Sequence, residues 1–109
     1  MVQKLRVVVR VDLDGASVRI KVLGKVDRHT LIGLYSLIRR TNSLRPNLHL
    51  EVDLRDAHAE AAALAELHHS CKSGHLPEQV DPRLARCRLR VLDPASAAPA
   101  VRSLAGMSA

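Results

Sequence analysis

The fold is decided within residues 18–40, which read VRIKVLGKVDRHTLIGLYSLIRR. The first part alternates, so that Val18, Ile20 and Val22 lie on one side of an extended chain and basic residues lie on the other. From Asp27 onward the apolar residues recur at helical spacing instead. A strand that passes directly into an amphipathic helix is typical of an α/β protein, in which the helix packs back on the sheet.

The helix is predicted over residues 27–45. Asp27 or Thr30 can cap its first turn. Two arginines near its end interact favourably with the negative end of the helix dipole. Pro46 ends it. Its apolar stripe is formed by Leu31, Leu34, Tyr35 and Ile38.

Three further segments show the alternation of strands. Residues 5–13, LRVVVRVDL, are followed by Asp14-Gly15, a pair that predicts a β-hairpin with residues 17–24. Residues 48–54, LHLEVDL, predict a third strand, and residues 86–93, RCRLRVLD, predict a fourth.

Two more helices complete the predicted order. Residues 61–71 are alanine-rich and helical in pattern, and Leu64, Leu67 and Cys71 are expected to face the core. Residues 72–85 read as a loop, and residues 99–105 predict a short last helix. The order is β-β-α-β-α-β-α. We therefore predict the α/β class, with a mixed four-stranded sheet and helices packed on one face. A chain of 109 residues is expected to form a single domain over residues 1–109.

Charge is distributed unevenly along the chain. The net charge is +6, and residues 1–45 hold ten Lys and Arg against three Asp. This basic half indicates either an acidic partner or a solubilising surface. No apolar run is long enough to span a membrane, and the first residues lack the features of a signal peptide. Two cysteines make no disulfide framework, so we expect a reduced, cytoplasmic protein.

A metal site is conceivable in the segment HHSCKSGH. His68, Cys71 and His75 would align on one unbroken helix, as zinc ligands require. Gly74 is expected to end that helix before His75, however, and neither cysteine belongs to a CxxC pair. A Cys71–His68 catalytic pair is also poorly oriented when both residues lie on one helix. We predict no metal and no cofactor, with Cys71 in the core.

Signals for catalysis and nucleotide binding are weak. Glu51 and Asp53 share one strand face and could act as an acid and a base, but a solvated strand face explains them as well. No glycine-rich phosphate loop is present. These residues favour a protein that is not an enzyme.

Nucleic-acid binding stays open as the alternative function. Arg86, Arg88 and Arg90 form an outward stripe, and the basic first half adds to it. Only Tyr35 could stack on a base, and it belongs to the apolar stripe of the first long helix.

The order and spacing of the elements resemble a STAS domain, the fold of bacterial anti-sigma-factor antagonists and of the cytoplasmic part of sulfate transporters. The resemblance covers about residues 18–106. In that family a strand ends in Gly, an Asp precedes a helix with paired leucines, and a buried strand closes in Asp-Leu before the second helix. The matching positions are Gly24, Asp27, Leu34, Asp53, Leu54, Leu64 and Leu67.

The resemblance fails at the family's switch. There a DSSG turn opens the second helix, and an anti-sigma-factor kinase phosphorylates its first serine to release the partner. Glu60 and the alanines 61–63 stand in its place here, so that Ala61 occupies the position of the phosphoacceptor without a hydroxyl. Ser70 and Ser73 lie too far along the helix to substitute.

The resemblance therefore implies a non-enzymatic protein-interaction module that is not switched by phosphorylation at this site. Its partner would be an anti-sigma-factor-type kinase or a larger signalling assembly, bound through an exposed turn at residues 55–61 and the helix that follows. The expected contacts are Asp53, Arg55, Asp56, His58, Glu60, Ala61 and Ala62, with Arg39 and Arg40 as secondary contacts. The oligomeric state is left open.

Overall fold

The computed structural model describes residues 5–12 and 14–95. This part of the chain forms five strands and two helices in the order β-β-α-β-β-α-β. The strands are β1 (Arg6–Asp12), β2 (Ser17–Val26), β3 (His49–Asp53), β4 (Ala57–Ala59) and β5 (Arg88–Leu92), and the helices are α1 (Arg28–Asn42) and α2 (Ala61–Ser73). The helix predicted at residues 99–105 lies outside the described residues.

The strands form one mixed sheet. Their order is β1-β2-β3-β5, with β1 antiparallel to β2 and the other neighbours parallel. The α/β class and the mixed sheet are thus confirmed. The prediction of four strands was one short, because β4 pairs in parallel with the last three residues of β2. This strand occupies the middle of the segment predicted as a turn, and three residues are too few to show alternation.

Both helices cover the same face of the sheet. Alternate residues of β2 and β3, such as Ile20 and Val52, are buried beneath them. The predicted stripe of α1 is confirmed, with all four of its side chains buried. The opposite face of the sheet carries the charged residues of the strands. Each of the longer strands therefore has an apolar side toward the helices and a charged side away from them.

The start of α1 is fixed by a capping box. Oδ1 of Asp27 accepts hydrogen bonds from the backbone N–H groups of His29 and Thr30, each at 3.0 Å. The hydroxyl of Thr30 accepts in return from the N–H of Asp27 at 2.8 Å. Both predicted capping residues therefore act together, each satisfying a donor that the helix leaves free.

The buried stripe of α2 differs from the prediction. Ala63, Leu67 and Ser70 are buried, whereas Leu64 and Cys71 are only partly buried. Small side chains at positions 63 and 70 allow close packing against the rest of the core. Gly74 ends the helix in the left-handed conformation with φ of 81°, as predicted. Neither helix of the described chain has the length and hydrophobicity that a membrane span requires.

Candidate interaction surface

The backbone between β3 and α2 is held firmly to the sheet. After a bend at residues 54–56 the chain runs on beside β2 as β4. The N–H of Leu54 donates to the carbonyl of Leu92 at 2.9 Å, and the N–H of Glu60 donates to the carbonyl of Val26 at 2.9 Å. These bonds fix both ends of the segment, so its exposed side chains have a defined position relative to the sheet.

Asp53 stabilises the bend at residues 54–56. This residue is only 4% exposed, and its Oδ1 accepts the backbone N–H of Arg55 at 3.0 Å. The guanidinium of Arg55 adds bonds of 3.0 Å from Nε to Oδ1 and 2.9 Å from Nη2 to Oδ2. These hydrogen bonds from Arg55 lower the pKa of Asp53 to about 2.

The expectation of Asp53 as a residue on a solvated strand face was therefore wrong. Its carboxylate is enclosed and permanently ionised near neutral pH, which also removes it as a general acid. Asp53 positions Arg55 and offers little surface of its own.

The remaining expected contacts form one surface, which we call the turn surface. Its members are all exposed: Arg55, Asp56, His58, Glu60, Ala61 and Ala62. Between and behind them, Ala57 and Ala63 are buried and anchor the segment. A second ion pair of 3.2 Å joins Lys21 Nζ to Asp56 Oδ2. The turn surface thus combines charged side chains with two small apolar side chains, Ala61 and Ala62, at the start of α2.

The first turn of α2 is not capped by a side chain. Glu60 is the N-cap residue, yet its carboxylate makes no capping hydrogen bond, and the first turn contains no acidic residue. The first N–H groups of a helix have no partner within it and carry a partial positive charge. Ala61 and Ala62 leave this end open without supplying a hydroxyl. It can meet an acceptor from a partner, but it has no atom that could receive a phosphoryl group.

The secondary contacts proposed from the sequence lie elsewhere. Arg39 and Arg40 occupy the last turn of α1, and Asn42 beside them donates from Nδ2 to the carbonyl of Arg86 at 2.9 Å. That contact places the end of α1 near the start of β5. The turn surface follows the carboxyl end of β3, which is parallel to β5, and so lies at the opposite end of the sheet.

The residues considered for metal binding do not converge. His68 Nε2 lies 2.5 Å from Asp93 Oδ1, whereas Cys71 Sγ donates to the carbonyl of Leu89 at 2.7 Å. Nδ1 of His75 lies 3.1 Å from the carbonyl of Leu76. Within residues 5–12 and 14–95 no group of three His, Cys, Asp or Glu could hold a metal ion. Burial raises the pKa of Cys87 to about 11, so this thiol is neutral and structural.

The helix-free face of the sheet gathers cations that the sequence did not show as neighbours. Arg10 of β1 lies directly opposite Arg19 of β2, and Arg90 of β5 is in register with Glu51 of β3. Arg19 Nε contacts Glu51 Oε1 at 2.6 Å. Three arginines and one glutamate therefore form a row across four strands. Two facing arginines repel each other, and the carboxylate of Glu51 offsets part of this repulsion through its ion pair with Arg19.

A cleft of about 990 Å³ lies between α1, α2 and residues 75–80. Tyr35 is buried at this cleft, and its hydroxyl lies near the side chains of Glu66 and Ser70, but within the described residues it makes no hydrogen bond of ordinary geometry. Burial, with the nearby carboxylate of Glu66, raises the pKa of Tyr35, which keeps the hydroxyl neutral. Tyr35 is consequently unavailable for stacking on a base.

No protein-family model matches this sequence, and no curated protein matches it. Among solved structures, the chain is similar to an uncharacterized protein of the DUF3478 family from Shewanella loihica PV-4, which is described as having a SpoIIAA-like fold. The match covers 88% of this chain and 91% of that chain, with 10% sequence identity and a TM-score of 0.46. The fold named for that protein, SpoIIAA-like, is the STAS fold.

Proposed function

We propose that this chain is a cytoplasmic, non-enzymatic protein-interaction module that binds its partner through the turn surface. The partner is an anti-sigma-factor-type kinase or a signalling assembly, as the resemblance to STAS domains implies. Binding is not switched by phosphorylation at position 61, because Ala61 carries no hydroxyl.

One observation carries the proposal: the segment between β3 and α2 is exposed in its side chains and fixed in its backbone. Rigid presentation of an exposed segment lowers the entropy lost when a partner binds. The ion pair with the buried Asp53 holds the exposed side chain of Arg55 in place. The open helix end at Ala61 and Ala62 adds a site for a carboxylate of the partner.

Site-specific cross-linking tests the location. A photo-cross-linking residue at position 62 is compared with one at Ser43, an exposed residue at the other end of the sheet. In extract of the cells that contain this chain, we expect a single cross-linked protein from position 62 and none from position 43. Mass spectrometry should identify it as a kinase-type ATPase or a signalling protein, and Arg55→Glu should abolish the product. Equal products from both positions, or none from position 62, would refute the proposal.

The loss of switching is tested by restoring the hydroxyl. The wild-type chain and Ala61→Ser are incubated with ATP and the same extract, and their intact masses are compared. We expect the variant to gain one phosphoryl group and the wild-type chain to gain none. A phosphoryl group on the wild-type turn, for example on His58, contradicts the unswitched module. An unmodified variant contradicts a kinase as the partner.

Nucleic-acid binding is the second candidate, favoured by the row of arginines on the open sheet face. The face lacks aromatic side chains, so it would contact phosphates and not bases. Retention of duplex DNA or single-stranded RNA should then fall steeply between about 50 and 200 mM salt. Arg10→Glu and Arg90→Glu together should remove it. Absent or salt-independent retention excludes this function.

A further inference from the structure

The edge of the sheet at β1 has the features of a strand that could pair with a further strand. Within the described residues β1 pairs only with β2, so its other side presents unpaired N–H and C=O groups. Val8, Val9 and Val11 are 54%, 41% and 46% exposed. Natural proteins protect such an edge with proline, with charged side chains (lysine above all) or with a bulge. Residues 5–12 contain neither proline nor lysine, and their charged residues, Arg6, Arg10 and Asp12, all lie on the face away from the helices.

The helical layer stops short of this edge. Val7 packs against the core, but Val9 and Val11, which share its face, do not belong to the core cluster. Beside them a furrow of about 380 Å³ opens between β1 and α1. It is lined by Leu5, Val7, Thr30, Gly33, Leu34 and Leu37. A sheet face normally needs a second layer, and in the part of the chain that the structure describes Val9 and Val11 do not pack against the core.

We propose that β1 pairs antiparallel with β1 of a second copy of this chain, centred on Val9. The strand reads RVVVRVD, and its charges suit this symmetry. Arg6 of one copy then lies opposite Asp12 of the other, twice per dimer. Val7 lies opposite Val11, Val8 opposite Arg10, and Val9 opposite its own counterpart.

The register follows from charge and from side-chain direction. Only registers that centre the pairing on a residue keep Val7, Val9 and Val11 of both copies on the helix side. Centring on Val8 would place Arg6 opposite Arg10, and centring on Arg10 would place it opposite itself. Like charges directly opposite each other destabilise paired strands. Centring on Val11 avoids facing arginines but leaves the first half of the strand unpaired, so only the register centred on Val9 pairs all seven residues with two opposite-charge contacts.

Both partners in the proposed ion pair are accessible. Arg6 and Asp12 are exposed and, being six residues apart in one strand, lie on the same face. Oδ1 of Asp12 accepts the N–H of Gly15 at 3.1 Å. In the dimer its second oxygen, Oδ2, accepts from Arg6 of the other copy.

Pairing would extend the apolar side of the sheet as well as satisfy the unpaired backbone groups of β1. The two sheets become one continuous sheet, and the two α1 helices flank a shared furrow floored by Val7, Val9 and Val11 of both copies. The interface consists mainly of one strand edge, so it falls below the ~1,200 Å² of a stable interface. We expect a reversible dimer with a dissociation constant on the order of 10–100 µM.

Charge reversal tests the dimer directly. Sedimentation velocity is measured for the wild-type chain, Arg6→Asp and Asp12→Arg from roughly 5 to 500 µM, across the expected dissociation constant. We expect the wild-type chain to dimerise and each variant alone to remain monomeric. An equimolar mixture of the two variants should dimerise again. The introduced aspartate of one variant then faces the introduced arginine of the other, and the native Arg6 and Asp12 form the second ion pair.

Arg10→Asp is the matched control. In the proposed register it faces Val8, and it relieves the repulsion with Arg19, so dimerisation should be unchanged or slightly tighter. Circular dichroism confirms that all three variants fold, which matters because Asp12→Arg also removes the bond to Gly15. A wild-type chain that stays monomeric at the highest concentration overturns the proposal. So does a mixture that fails to dimerise, or an Arg10→Asp variant as weak as Arg6→Asp.

Hydrogen exchange separates a second copy from the chain's own remaining residues. The outward amides of β1 should exchange slowly only at high protein concentration. Slow exchange in a sample that sediments as a monomer would mean that the edge is covered within the same chain, and the dimer would be excluded.

Discussion

At the scale of single residues, Asp53 links the core to the turn surface. Its folded pKa of about 2 lies below the value of about 3.9 in an unfolded chain. The resulting stability is present above about pH 4 and is lost as the pH falls toward 2. Asp53→Asn keeps the acceptor for the N–H of Arg55 but loses the charge. We expect it to lower the free energy of unfolding by about 1–2 kcal/mol at pH 7, reduced for the exposure of Arg55.

Urea denaturation from pH 7 down to pH 3 measures this effect. The difference between wild type and Asp53→Asn should shrink as the pH falls below 4. Asp56→Asn is the control, because its ion pair with Lys21 is exposed on both sides and should contribute close to nothing. Equal losses in the two variants would contradict a special role for Asp53.

Tyr35 provides the opposite case, a buried polar atom without a partner among the described residues. Removing an unsatisfied hydroxyl takes away a desolvation cost and leaves the ring packing intact. Tyr35→Phe should therefore leave the free energy of unfolding unchanged or raise it by up to about 1 kcal/mol. A loss of more than about 1 kcal/mol would show that Tyr35 is hydrogen-bonded in solution, for instance to Glu66 or Ser70. Urea denaturation decides between these outcomes.

At the scale of elements, the two helices begin in contrasting ways. Asp27 caps α1 with two hydrogen bonds, whereas Glu60 makes no side-chain bond at the start of α2. Asp27→Ala should lower the melting temperature by roughly 4–8 °C, and Glu60→Ala should lower it very little. Glu60→Asp supplies a shorter carboxylate that can cap and should raise it by a few degrees. Differential scanning calorimetry checks all three, and a large loss with Glu60→Ala would show an unrecognised cap.

Elements with a long hydrophobic period could be predicted from the sequence. Strands β1, β2, β3 and β5 and helix α1 each repeat their pattern several times, and each was found within a few residues of its bounds. β4 was missed because it forms only by pairing with the last three residues of β2, and nothing in its own three residues indicates a strand. The buried face of α2 was predicted wrongly because alanine is tolerated on either face of a helix. Only the packing of the whole domain decides which alanines are buried.

At the scale of the whole molecule, strand register decides what a sequence alone leaves open. The exposed position of the turn surface could be inferred because a polar segment joins a strand to a helix. The burial of Asp53 could not, because it depends on an arginine two residues away folding back over it. The facing of Arg10 and Arg19, and the separation of Arg39 from the turn surface, likewise depend on which strands are neighbours.

The strand order predicts that the two proposed interfaces act independently. β1 and β3 flank β2 on opposite sides, and the turn surface continues from β3, so a second copy at β1 leaves it free. Arg6→Asp should therefore abolish dimerisation while cross-linking from position 62 stays at the wild-type level. Arg55→Glu should abolish cross-linking while the dissociation constant of the dimer stays within about twofold. Loss of both activities in either variant would mean that dimerisation builds the partner site, which the separation of β1 from β3 by a whole strand argues against.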